Sequence, residues 1–129
     1  MPSLATPTAL LCLVLYLVAL HSLLVGMTLM ANPKGLMRWA GFEVNPEPFF
    51  AAQAGVFHIV LAAGYAIAAA GFPDTSSLVQ FSVLVKAIAT FFLLLYYLLK
   101  DRKWVILASG CIDGCMGAAI CLAGLNAGM

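Results

Sequence analysis

The chain has 129 residues, of which 64% are hydrophobic and 9% charged, with a formal net charge of +1. Soluble domains are about 45–50% apolar and about 25% charged, so this composition excludes a water-soluble globular protein, and it is far too apolar for a disordered chain. With a mean hydropathy of +1.08 and no basic run long enough to track phosphates, what remains is an integral membrane protein whose first partner is the lipid bilayer, and not a nucleic-acid binder.

A membrane crossing takes about 20 mostly apolar residues, and four stretches qualify. The first covers about 8–31 and is stopped by Asn32-Pro33. Residues 34–42 then predict one or two helical turns on the membrane surface, with Lys34 and Arg38 four apart on one face. The second span covers about 49–70, opened by Pro46 and Pro48 and closed by Pro73. The third covers about 78–99, with Asp74, Thr75 and Ser76 as candidate N-caps. The fourth covers about 104–125. Period-two alternation is absent and the runs are too long for barrel strands. The expectation is therefore one all-α domain over 1–129, a four-helix transmembrane bundle with antiparallel up-down topology. Residues 1–7 carry no Lys or Arg and the first apolar run is of full span length, so the N-terminus is not expected to be a cleavable signal.

Positive charge sets the expected orientation. Lys34 and Arg38 fall in the first loop and Lys100, Arg102 and Lys103 in the third, while the N-tail, the second loop and the C-tail carry none. Loops 32–48 and 100–103 are accordingly expected in the cytoplasm, with both termini on the extracytoplasmic side of a cell inner membrane. Trp39, Phe42, Phe49, Phe50, Tyr96, Tyr97 and Trp104 gather near the same interface, as an aromatic belt does.

The informative residues are ionisable groups within the spans: His21 in the first, His58 in the second, Lys86 in the third and Asp113 in the fourth. Such groups are costly when unpaired and mark functional interiors by default. Counted inwards from the cytoplasmic ends at about 1.5 Å per residue, His21, His58 and Asp113 lie about 14 Å deep, and Lys86 about 6 Å further, within reach of its flexible stem. At 100° per residue, Ser82, Lys86, Thr90 and Tyr97 share a stripe. So do Ser109, Asp113, Gly117 and Gly124, and so do Ala51, Ala54, His58, Ala62 and Tyr65. The Gly110-x-x-x-Gly114 pair flanks the Asp113 stripe and permits close helix approach, with Gly117 next in line. The third and fourth spans form a tight hairpin, so Lys86 and Asp113 are placed to meet. Such a pair serves equally well as a register pin between two helices. His21, with the weaker polar stripe, reads first as a structural group.

Cys12, Cys111, Cys115 and Cys121 do not form a redox or metal pattern. Cys111 and Cys115 are four apart rather than in C-x-x-C spacing, and they point about 160–200° away from Asp113, towards lipid or another subunit. No metal site is expected. Two histidines at similar depth are the minimum for a haem b, but nothing else in the sequence supplies a slot or propionate partners, so no cofactor is predicted.

The segment Gln53-Ala-Gly-Val-Phe-His58, followed by Gly64-Tyr65, Lys86 in an apolar span and Gly110-Cys-Ile-Asp113 in the last, resembles small four-span bacterial inner-membrane proteins of broadly DoxX-like architecture. The resemblance covers about the last three spans and implies a four-helix bundle, at times associated with redox or quinone-linked complexes. No functional residue is carried over from it. Three readings follow. The first is a small subunit of a larger membrane assembly, suggested by the minimal loops and not expected to be an enzyme. The second is transport, as a subunit of a homo-oligomeric proton- or ion-coupled transporter or channel using Asp113, Lys86 and His58. The third is a membrane-embedded enzyme or binder for a lipid or quinone, which requires an open pocket at His58, Tyr65 and Asp113.

Overall fold

The computed structural model describes residues 6–129. Among these every regular element is helical, in the order α1 (Pro7–Ala31), α2 (Pro33–Trp39), α3 (Phe49–Gly71), α4 (Ser76–Leu99) and α5 (Trp104–Ala127). All but the short α2 are long and apolar enough to cross a membrane. The reading of the N-terminal residues as an uncleaved segment falls mostly outside the described residues.

Local chemistry accounts for the ends. Thr6 caps α1 by accepting from the Ala9 amide, and Asn32 both ends α1 and caps α2 by accepting from the Gly35 amide at 3.0 Å. Pro7 and Pro33 occupy first-turn positions, where a missing N–H costs nothing. The α4 start meets the expectation in position but not in bonding. Thr75 is the N-cap residue, but neither it nor Asp74 or Ser76 caps the helix with a side chain. The Thr75 hydroxyl instead donates to the Ala68 carbonyl at 2.8 Å, tying the α3–α4 turn to α3. A freed carbonyl at a helix C-terminus has no water partner in an apolar medium, and it outcompetes the cap.

The bundle is inside-out by the standard of a soluble protein. Large apolar side chains such as Leu17, Phe57, Phe91 and Leu122 are more than half exposed. Small residues fill the contacts. Gly26 and Gly55 let α1 and α3 touch: a Cβ on either would lie 2.7 Å from the carbonyl oxygen of the other. Gly110, Gly114 and Gly117 face Leu93 and Leu94, Thr90 and Lys86 across the α4–α5 contact. Thus α1 packs chiefly on α3 and α4 on α5, α1 also meets α5, and α3 touches α4 least of these pairs. The apolar core gathers at one end of the bundle, from Leu11, Leu15, Val18 and Ala19 on α1, Tyr65, Ala68 and Ala69 on α3, Val79 on α4, and Ile120 and Ala123 on α5. At the other end Trp39 stacks edge-on against Trp104 with centroids 5.2 Å apart, and the Lys103 ammonium lies 5.1 Å from the centre of the Phe42 ring. The first and third loops therefore lie side by side.

Candidate functional site

The Lys86 ammonium donates to Asp113 Oδ1 at 2.5 Å, joining α4 to α5. Lys86 is 5% exposed, and its Cβ rests against Gly117, where a methyl group would crowd it at 3.0 Å. The glycine is thus part of how the lysine fits. Tyr65 of α3 presents its ring to the same ammonium at 5.6 Å from the centroid, a cation–π contact between the two hairpins.

His21 and His58 join Lys86 and Asp113 around one cavity of about 230 Å³, completed by Ser22, Val25, Leu93, Ser109 and Ile112. The four ionisable groups that the sequence placed at one depth therefore do share one space. Lys86 has two further donors and Asp113 a second oxygen. His58 Nδ1 is buried without a hydrogen-bond partner among the described residues. Buried polar atoms are nearly always satisfied, so an unpaired one calls for water or a ligand.

Other expected site residues sit elsewhere. Tyr65 is 2% exposed, packs in the apolar core, and its unpartnered hydroxyl is not on the lining of this cavity. Ser82 and Thr90 share the Lys86 face but donate their hydroxyls to the carbonyls of Leu78 and Lys86 at 2.8 and 2.7 Å. Back-bonding to the preceding turn satisfies a hydroxyl in an apolar medium, and it removes both from the polar site. Ala54, on the expected inward stripe of α3, is exposed, whereas Gly55 is buried against α1. Gly124 meets the side chain of Met129 rather than a neighbouring span. Ser22, which is 2% exposed and lines the cavity, carried no sequence signal beyond its position one residue after His21. Gly26 and Gly55 were legible as small residues in bulky spans, one turn or so from each histidine.

The four cysteines are free, and the Cys12 thiol donates to the Ala69 carbonyl at 3.3 Å. No cluster of three or more His, Cys, Asp or Glu with metal-binding geometry occurs among the described residues. Comparison with protein-family models, curated proteins and solved structures returned no match.

Proposed function

We propose that this chain is a multi-pass inner-membrane protein that binds an uncharged polar group inside the bilayer, between the two histidines and the Lys86–Asp113 pair. One observation carries the reading: an ion pair and two imidazoles line a single open cavity, and one imidazole nitrogen lacks a partner. Wherever its proton rests, the Lys–Asp pair is net neutral. Lys86 occupies one oxygen of Asp113, so a cation would have to displace the lysine to bind there. A pair serving only as a register pin gains nothing from a cavity beside it, since filling that space would add packing. A neutral donor–acceptor group, by contrast, finds both donors and acceptors there, and mid-membrane depth selects for an amphiphile delivered by the lipid phase.

The frame of this reading is an antiparallel bundle with both termini outside and loops 32–48 and 100–103 in the cytoplasm. It is supported by the five basic residues of those loops, their side-by-side placement, and the Trp39–Trp104 contact. A role as a subunit of an assembly is supported by the minimal loops and by the Gly and Ala on several sides of the fourth span, and it is compatible with binding.

Native mass spectrometry of protein extracted in a mild detergent tests the proposal. A small amphiphile should remain on the wild type and be lost from His58→Phe, whose ring keeps the bulk but offers no hydrogen-bonding nitrogen, while circular dichroism stays unchanged. A wild type free of adducts after gentle extraction would overturn it.

A further inference from the structure

The bundle is packed unevenly along its axis. Every residue of the apolar core cluster lies on the N-terminal side of His21 in α1, the C-terminal side of His58 in α3, the N-terminal side of Lys86 in α4 and the C-terminal side of Asp113 in α5. That is one end of the molecule. Towards the other end the space between α1 and α5 opens into a groove of about 410 Å³, roofed by α2. Leu24 and Leu29 of α1, Leu36 and Trp39 of α2, Phe42, and Val105 of α5 form its apolar walls. Val25 and Ser109 line both this groove and the polar cavity. The two spaces adjoin, one polar and one greasy, and the apolar core closes the far end.

We propose that cavity and groove form one site for a single-chain amphiphile with an uncharged hydroxyl or carbonyl head, the head between His58 and the Lys86–Asp113 pair and the chain beneath α2. The proposal rests on the binding reading above and names its ligand class. Charge selects the head. A phosphate or carboxylate would face Asp113 with no surplus positive charge to offset it, about 14 Å inside the membrane by helix rise. Size selects one chain, since a groove of 410 Å³ is within the range of about 300–1,000 Å³ that holds one drug-sized molecule. Because the core blocks the other end, the ligand enters head first past α2, from the leaflet next to the first and third loops.

The chain's two tryptophans both stand at this groove, Trp39 in its wall and Trp104 beside it. Bromine quenches indole at contact, so an ω-bromoalkanol placed head-down brings bromine to Trp39. Protein carrying Trp104→Phe in phosphatidylcholine nanodiscs is titrated with 12-bromododecan-1-ol. The expected result is saturable quenching, reversed by excess dodecanol, with half-saturation at least tenfold higher for 12-bromododecanoic acid at pH 8 and for the Ser109→Phe variant, which blocks the junction. His58→Leu should weaken it about tenfold, the loss of about 1.4 kcal/mol of binding. Linear quenching, the same in Ser109→Phe, would show ordinary lipid chains at the groove and overturn this proposal, leaving the polar-cavity reading intact. Saturable quenching unchanged by His58→Leu would instead overturn the polar cavity as the head site. Should Trp104→Phe not fold, the wild type gives the same readout, because Trp104 lies against Trp39.

Discussion

Replacing Asp113 by leucine strands the Lys86 ammonium, and the structure sets the size of the effect. Lys86 is 5% exposed, and its acceptor is Asp113 Oδ1 at 2.5 Å. A lysine at the centre of a membrane helix costs about 2.5–3.5 kcal/mol by insertion scales, and breaking a buried ion pair in soluble proteins costs about 3–5 kcal/mol. Water in the adjoining cavity softens the penalty, so Asp113→Leu should lose about 3 kcal/mol. Lys86→Met leaves the carboxylate, whose side chain is 19% exposed and can hydrate or take a proton, so about 1–2 kcal/mol is expected. The double variant leaves no charge behind and should fall within about 1 kcal/mol of wild type. The coupling energy is then about 4 kcal/mol. Reversible unfolding of the four proteins in mixed lipid–SDS micelles, followed by circular dichroism, measures it. Single effects that add to within about 0.5 kcal/mol of the double would refute the reasoning, since uncoupled sites behave that way. The swap of Lys86→Asp with Asp113→Lys separates two roles: a restored fold without restored ligand binding means that the pair does more than pin register.

Gly55→Leu should destabilise by about 1–3 kcal/mol in the same unfolding assay, because even a Cβ there would lie 2.7 Å from the Gly26 oxygen; Gly64→Ala, with nothing within 4 Å of the added methyl, should stay near neutral. Thr75→Val should cost about 0.5–1.5 kcal/mol through the lost bond to the Ala68 carbonyl, whereas Asp74→Ala, without a capping bond, should cost little. In a background without native cysteines, cysteine at Asp74 should react with an impermeant maleimide added outside intact cells, and cysteine at Lys34 or Arg102 only after permeabilisation. The reverse pattern would invert the orientation argued from the basic loops.

The helices were legible because a bilayer asks little of a sequence: about 20 apolar residues and a stop. Asn32-Pro33 supplies one stop, and the bounds of the four spans differ from the apolar runs by at most two residues. The largest differences, at Ser76 and Ala127, arise where polar or small residues continue the helix outside the apolar run. Which face points inward was harder to read. In α1, leucines and valines occupy every side, so nothing in its periodicity singles out Ser22 and Val25, the two residues that line the cavity beside His21. Lys86 and Asp113 were legible for the opposite reason, since charge in lipid is rare enough to identify a site by itself.

The glycine contacts between helices explain where the cavity falls. Glycine contacts zip α1 to α3 through Gly26 and Gly55, and α4 to α5 through Gly110, Gly114 and Gly117. The two histidines belong to the first hairpin and the Lys–Asp pair to the second. Their meeting place is therefore the seam between two internally close-packed units, and along that seam α3 touches α4 less than α1 touches α5. Tyr65 against the Lys86 ammonium is a direct tie across it. A molecule bound between the imidazoles and the ion pair would add hydrogen bonds across the same seam. It would hold the hairpins at one angle, so its binding and their relative motion would be thermodynamically linked.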